Sequence, residues 1–288
     1  MSPNTLGALL MMASMASFTL NDTLIKLTGG ALPLAQLLVL RGALSLVLIY
    51  ALARSLGAVR WDLGRHNWTL IAIRSAGEIG AAYFFITALL NLPLANVTAI
   101  LQVLPLTVTL GSAILFAEPV GWRRALAIGL GFCGMLLIVR PGPDGFSIYA
   151  LCALAAVLAV TVRDLATRRL SPDVPGLTVT IAAAISVLVF FGALSLGESW
   201  APVTPRLWLL IGGASIFILG GYYFSVQVMR TGDVSFTAPF RYTGLLWALV
   251  LGWWVFGDWP DGLTLLGAGI VAATGLFTLW RERQLLRR

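Results

Sequence analysis

The sequence predicts an all-α membrane protein with ten transmembrane helices in two inverted five-helix repeats. Three observations support this class. Of the 288 residues, 59% are hydrophobic and only 11% are charged, whereas soluble domains carry roughly a quarter charged residues. Apolar runs recur along the whole chain, many near the ~20 residues that a helix needs to cross a bilayer. Finally, matching residues recur at a shift of about 140 positions.

Glycine, proline and charged residues divide the chain into ten apolar segments. We number the predicted segments 1 to 10 in chain order: 4–27, 32–54, 68–90, 94–116, 122–140, 147–169, 174–197, 207–230, 234–257 and 262–281. The loops between them are short and leave no room for a further domain. Segment 1 follows no basic region and is too long for the apolar part of a signal peptide, so we expect it to be the first membrane helix.

Arginines in the loops predict the orientation, because basic residues mark cytoplasmic loops. With the N-terminus inside, twelve arginines fall on the cytoplasmic side and three basic residues, Lys26, Arg140 and Arg206, on the outer side. Both termini are therefore predicted to be cytoplasmic, in a protein of the bacterial inner membrane. The net charge of +7 is then a topology signal, and no nucleic-acid partner is expected.

An internal repeat is visible when the chain is compared with itself. The matches at a shift of 140 are Trp68 with Trp208, Gly80 with Gly220, Tyr83 with Tyr223, Phe84 with Phe224 and Glu118 with Asp258. At a shift of 142, Asp22 meets Asp164 and Lys26 meets Arg168. The predicted repeats are 1–142 and 143–288. Because five is odd, the second repeat must enter from the opposite side, as in many secondary transporters.

The two repeats share a short turn, "LFAEPV" (115–120) after segment 4 and "VFGDWP" (255–260) after segment 9. With this architecture the chain resembles the drug/metabolite transporter superfamily, and more narrowly it is similar to EamA-type ten-helix exporters of the bacterial aromatic amino-acid branch. The resemblance covers essentially the whole chain, although its short motifs are loose. It implies export of amino acids, aromatic ones among them, and related metabolites by alternating access.

One feature departs from the family pattern. The family often has a proline in the middle of both segments 4 and 9. Pro105 fits the first position, but the shifted position is Leu245, and Pro239 lies six residues earlier. Each proline removes a backbone donor inside a membrane helix. Broken helices at corresponding places in the two halves point to a substrate site between them.

Charged side chains inside membrane helices are candidates for function, because each costs about 2.5–3.5 kcal/mol near the helix centre on insertion scales. Glu78 lies about 15 Å into segment 3 by the helical rise, near the midplane. It either contacts a substrate ammonium or a coupling proton, or pairs structurally with Arg74. Arg163 and Arg241 either bind a substrate carboxylate or pair with an acid on another helix.

Further candidates are polar or aromatic residues on segments 1, 3, 4 and 8. Gln102 lies one turn before Pro105, and ordinary packing is the alternative for the aromatic residues. We expect a central cavity lined by segments 1, 3, 4, 6, 8 and 9. The predicted substrate-binding set is Glu78, Gln102, Arg163, Tyr223, Arg241, Asn21 and Tyr83.

Two charged pairs recur near the ends of segments 1 and 6. Asp22 and Lys26, like Asp164 and Arg168, are four residues apart, a spacing that places opposite charges on one helical face. The pairs either neutralise each other or help to close a gate at each face of the membrane.

The hexapeptide "GLGFCG" (129–134) has the glycine spacing of a dinucleotide-binding loop, but it lies within segment 5 instead of after a strand. We interpret it as a helix-packing face formed by Ala125, Gly129 and Cys133.

Other classes of protein are disfavoured. No phosphate-binding G-x-x-x-x-G-K-[ST] loop occurs, and the single histidine, His66, falls in a loop, so no cofactor, metal site or enzymatic activity is expected. An intramembrane protease would need Asp22 and Asp164 in contact, yet they should be about 15–25 Å apart across the core. A channel for small solutes stays open as an alternative, as do the driving force and the oligomeric state, for which a monomer is favoured.

Overall fold

The protein is an all-helical bundle, seen in a computed structural model that describes residues 2–56, 59–117, 121–140, 147–231 and 234–286. No β-strand occurs in these ranges. The elements are α1 (Pro3–Lys26), α2 (Leu34–Leu56), α3 (Arg65–Asn91), α4 (Leu94–Leu101), α5 (Leu104–Phe116), α6 (Trp122–Val139), α7 (Ile148–Arg168), α8 (Gly176–Ser195), α9 (Pro205–Thr231), α10 (Val234–Thr237), a 3-10 helix (Ala238–Tyr242), α11 (Thr243–Phe256) and α12 (Gly262–Leu286).

Each predicted segment is helical, and segments 4 and 9 are broken, as the prolines predict. Segment 4 divides into α4 and α5, with Pro105 in the first turn of α5, where its missing N–H is tolerated. Segment 9 divides at the 3-10 helix that contains Pro239. Helix α3 begins earlier than predicted, so His66 lies in its first turn. The predicted turn around Glu118 lies outside the described residues.

Among the described residues, seven helical stretches are long and apolar enough to cross a membrane. They are Pro3–Lys26, Leu34–Ala51, Arg65–Asn91, Leu94–Phe116, Ile148–Arg168, Gly176–Ser195 and Pro205–Ser225, and Ala125–Val139 and Gly262–Thr278 are shorter apolar helices. The chain is a multi-pass membrane protein. That ten segments cross the bilayer, with both termini inside, stays a prediction.

The packing of the helices follows the repeat. Helix α1 packs along α9 and α3 along α7, while α2 contacts α8, α4 contacts α11 and α6 contacts α12. A shift of about 140 residues converts the first of these interfaces into the second. The same shift relates α2 to α8 and α6 to α12, and it relates segment 4, which contains α4, to segment 9, which contains α11. Buried apolar side chains form two main clusters, one around α4, α6, α7 and α12 and one around α2, α3, α8 and α9.

Matched small residues occupy the two crossings of α3 with α7 and of α9 with α1. A Cβ atom added to Gly80 would lie 3.4 Å from the Cβ of Ala159. One added to Gly220 would lie 3.5 Å from the hydroxyl of Ser17. Gly80 and Gly220 are related by a shift of 140, and Ser17 and Ala159 by 142. Equivalent residues therefore occupy equivalent places in the two halves.

Helices α6 and α12 also pack closely, but not through the predicted face. A Cβ added to Gly134 would lie 2.9 Å from the carbonyl oxygen of Gly267, so the backbones nearly touch. In contrast, Gly129 has open space around it and Cys133 is exposed. The assignment of Gly129 and Cys133 to the packing face was wrong, because a small-residue spacing does not specify which side of a helix faces its neighbour.

Candidate functional site

A small polar cavity lies between α2, α3, α8 and α9. Its volume is about 100 Å³, and its polar lining residues are Arg41, Ser45, Arg74, Glu78, Thr180 and Tyr222. The remaining wall is mostly aliphatic. Pockets that bind small molecules usually enclose about 300–1,000 Å³, so this cavity must widen before it can hold a metabolite. Only segments 3 and 8 of the six expected segments border it.

Glu78 occupies the middle of α3, thirteen residues from either end. Its Oε2 atom lies 3.5 Å from Nη1 of Arg163 on α7 and 3.8 Å from Nη2 of Arg74 one turn earlier. The pair with Arg74, one of the two alternatives for Glu78, is formed, and the pair with Arg163 joins two helices. Glu78 and Arg163, both predicted site residues, are thus brought together.

Gly77 explains why these two side chains can meet. A Cβ atom at this position would lie 2.8 Å from the carbonyl oxygen of Ala159 and 3.1 Å from the Cβ of Arg163. Only a residue without a side chain lets α3 and α7 approach so closely. The closest approach of the helices therefore falls beside Glu78.

The charges around the cavity balance. Besides Glu78, the acidic members are Asp164, whose Oδ1 accepts a 2.9 Å hydrogen bond from Nε of Arg163, and Asp22, which accepts one from Asn21 at 2.8 Å. Arg41 interacts electrostatically with Asp22 and Glu78. Three acids and three arginines thus offset one another, which limits the cost of placing them inside a membrane protein.

Several charged atoms beside the cavity lack hydrogen bonds. The Nε atoms of Arg41 and Arg74, Nη1 of Arg74 and Oε2 of Glu78 are buried without a hydrogen-bond partner among the described residues. Buried charged groups are normally satisfied. Arg41 and Arg74 therefore have hydrogen-bond donors that are available to an anion. Beside them, Oε2 of Glu78 forms ion pairs but no hydrogen bond and is an acceptor for a cation.

Other predicted site residues lie elsewhere. Nε2 of Gln102 lies 3.5 Å from the carbonyl oxygen of Arg241, so the two broken segments meet there, but neither residue lines the cavity and Arg241 is exposed. Tyr83 and Tyr223 are 42% and 46% exposed. Each packs edge-on against the phenylalanine that follows it. Asn21 is buried beside Asp22.

Five of the six polar cavity residues were absent from the predicted set: Arg41, Ser45, Arg74, Thr180 and Tyr222. The sequence did contain a signal for Arg41, because a charged residue inside an apolar segment is unusual. Segment 2, however, was not among the segments expected to line the cavity. Tyr222 lines the cavity while its neighbour Tyr223 does not. Adjacent residues of a helix point about 100° apart, and sequence does not reveal which of them faces α2 and α3.

Of the two alternatives for Asp22/Lys26 and Asp164/Arg168, mutual neutralisation is not seen, because neither pair forms an ion pair among the described residues. Nζ of Lys26 donates to the carbonyl oxygens of Leu89 and Leu92 at 3.0 and 2.7 Å. The last carbonyls of α3 lack helical partners, which makes them attractive to an ammonium group.

In the second half, Asp164 pairs with Arg163. Nη1 of Arg168 donates to the hydroxyl of Ser112 on α5. Asp22 and Asp164 thus interact with the arginines around the cavity, whereas Lys26 and Arg168 hydrogen-bond to neighbouring helices.

Two loop contacts are related by the repeat. Oε1 of Gln36, the third residue of α2, accepts a 2.9 Å hydrogen bond from the amide of Ala201, and its Nε2 donates to the Ala201 carbonyl at 2.7 Å. The hydroxyl of Thr178, the third residue of α8, accepts a 2.9 Å hydrogen bond from the amide of Arg60. The shifts are 142 and 141 residues. A side chain of each half thus hydrogen-bonds to the loop that precedes the third helix of the other half.

A multi-pass helical bundle with charged side chains around an internal cavity is typical of membrane transporters. The sequence profile of the EamA-like transporter family matches residues 5–140 and 147–280. The chain belongs to the EamA-like transporter family.

Similar proteins are named for several substrates. The pseudopaline exporter CntI of Pseudomonas aeruginosa is 26% identical over 96% of this chain and 97% of its own. A riboflavin transporter of Vibrio cholerae is 26% identical over 96% and 94%. An S-adenosylmethionine uptake transporter of Rickettsia felis is 23% identical over 68% and 66%. These relatives support a transporter without supporting the aromatic amino-acid branch.

The fold has been seen before. A solved crystal structure superposes with a TM-score of 0.68 over 97% of this chain and 98% of that chain, at 18% sequence identity. At this identity the likeness shows a shared fold alone.

Proposed function

We propose that the chain is a secondary transporter that exports small metabolites bearing both a carboxylate and an amine, amino acids among them, across the bacterial inner membrane. The observation that carries the proposal is the set of unused donors on Arg41 and Arg74 beside the acceptor Glu78. Aromatic amino acids are the first candidates by family resemblance, and S-adenosylmethionine, named for one relative, carries an α-amino-acid group.

Recognition would use both charges of the substrate. A guanidinium binds a carboxylate through two parallel hydrogen bonds, which Arg41 and Arg74 can supply once the cavity widens. The substrate ammonium would replace part of the positive charge that now surrounds Glu78. The aliphatic wall, which includes Leu38, Val187 and Ile218, would receive an apolar side chain.

Alternating access would follow from two inverted repeats, 1–142 and 143–288, with ten membrane-crossing segments and both termini cytoplasmic. In that arrangement the Gln36 and Thr178 contacts lie at opposite faces of the membrane. Both contacts are formed, and the cavity is small, as an occluded state requires. Opening to one side would break one contact and keep the other. Lys26 and Arg168 would act as gate residues through their contacts with α3 and α5.

The test is a substrate panel on the purified protein in liposomes, with and without an imposed pH gradient. The panel comprises aromatic and aliphatic amino acids, S-adenosylmethionine, riboflavin and simple carboxylates. We expect saturable, trans-stimulated transport of substrates that carry both charges. Preference for uncharged substrates would reject the proposed site, and single-channel currents would favour the channel alternative.

A further inference from the structure

A second cavity lies at the periphery, between α6 and α12. Its volume is about 470 Å³, and it shares no lining residue with the central cavity. The lining residues are Trp122, Arg123, Leu126, Ala127, Leu130, Ala273, Thr274, Phe277 and Trp280. We call it the α6–α12 groove.

The arginine and the tryptophans that line the groove are separated from its aliphatic residues along the helix axes. Trp122 and Arg123 begin α6, and Trp280 lies toward the end of the antiparallel helix α12. Leu126 and Leu130 follow one and two turns deeper. One end therefore offers a basic and two indole side chains, and the rest is apolar. Tryptophan and basic residues are typical of the headgroup level of a bilayer, and apolar side chains of the acyl-chain level.

Positive charge is concentrated at this end of the helix pair. The guanidinium of Arg123 lies 5.3 Å from the ring centre of Trp122, and none of the described carboxylates is within ion-pair distance of it. In the sequence, Trp280 is followed by four further arginines, at positions 281, 283, 287 and 288, and by one acid, at position 282. The opposite end differs, because Arg140 there is paired with Asp261.

We propose that the α6–α12 groove binds one anionic phospholipid, with its phosphate at Arg123 and an acyl chain along Leu126 and Leu130. In the proposed orientation the groove opens to the cytoplasmic leaflet. Basic pockets between membrane helices on that side bind anionic headgroups. A free phosphate ion would satisfy Arg123 but would leave the apolar groove unfilled, so the lipid is the occupant that fits both parts.

The test is native mass spectrometry of the full chain in detergent with an equimolar mixture of phosphatidylglycerol and phosphatidylcholine of identical acyl chains. We expect one phosphatidylglycerol bound with a preference of about fivefold or more, as the attraction of one arginine for an anionic lipid implies. Arg123→Gln should reduce the preference markedly, because it removes the guanidinium placed at the phosphate. Ala273→Phe should fill the groove and reduce the binding of both lipids.

Arg206→Gln provides the matched control, because Arg206 is an exposed arginine near the start of α9 and lies outside the groove. It should retain the wild-type preference. Excess inorganic phosphate should not displace the lipid. Equal binding of both lipids by the wild-type protein, an unchanged preference in Arg123→Gln, or displacement by phosphate would each overturn the assignment.

Discussion

Oε2 of Glu78 on α3 lies 3.5 Å from Nη1 of Arg163 on α7, at the level where Gly77 brings the two helices closest. The distance is longer than the 2.7–2.9 Å typical of charge-assisted hydrogen bonds. The pair is thus close enough for strong attraction without a short hydrogen bond, and in the proposed function a substrate ammonium would take the place of Arg163 beside Glu78. Four consequences for this site and its surroundings, and one for the loop before α12, can be measured.

Glu78→Gln should reduce transport by at least about tenfold at equal amounts of protein in the membrane. The substitution leaves Arg74 and Arg163 without their shared acid, which is costly in a buried site. Transport in proteoliposomes is the measurement. Glu198→Gln, at an exposed position in the loop after α8, is the control and should transport normally. Equal activity of the two variants would remove Glu78 from the site.

Arg41→Gln should raise the KM for a carboxylate substrate by about tenfold to a hundredfold, since hydrogen bonds to charged groups contribute about 1.5–3 kcal/mol. An analogue in which an amide replaces the carboxylate should show no such difference between wild type and variant. Initial rates over a range of substrate concentrations measure both. An equal loss for the acid and the amide would indicate a structural role.

Gly77→Ala should destabilise the protein by about 1–3 kcal/mol, as overpacked sites usually do, because the new methyl group would meet the backbone of Ala159 on α7. Gly129→Ala is the control, since nothing lies within 4 Å of that position. It should be neutral or slightly stabilising in a helix. Thermal unfolding in detergent measures the two variants. Matching unfolding temperatures would contradict the close crossing at Gly77.

Gln36→Ala should accelerate hydrogen exchange at the amide of Ala201, and Thr178→Ala should do so at the amide of Arg60. Each substitution removes the acceptor of one 2.9 Å hydrogen bond and leaves the other in place. Hydrogen–deuterium exchange of peptides covering the two loops is the measurement. Ser195→Ala, which removes only a bond within its own helix, should alter neither loop.

Asp261→Asn should lower thermal stability slightly at neutral pH, with a difference that shrinks in acid. The amide of Thr264 and the Arg140 guanidinium hold the pKa of Asp261 below its ordinary value of 3.8. A lowered pKa stabilises the folded state fully above the unfolded value, and this contribution is lost as the pH falls through the folded value. Unfolding temperatures between neutral pH and about pH 3 measure it, with Asp62→Asn as the control.

The sequence by itself determined the helical segments, the two interruptions and the presence of a charge in the middle of α3. These properties are local. A run of apolar residues is helical in a bilayer because every backbone group must be satisfied within the segment. Pro105 and Pro239 break their helices because neither can donate a backbone hydrogen bond. A carboxylate in the middle of an apolar membrane helix, such as Glu78, is exceptional wherever its helix is placed.

Only the tertiary structure decided which side chains meet. The pairing of Glu78 with Arg163, the presence of Tyr222 instead of Tyr223 in the cavity, and the choice of Gly134 over Gly129 as a packing residue depend on how each helix is rotated about its axis. A membrane helix that is apolar on all sides carries little periodic signal for that rotation. It is fixed by the close contact of glycines and small residues between helices, which are distant in the sequence.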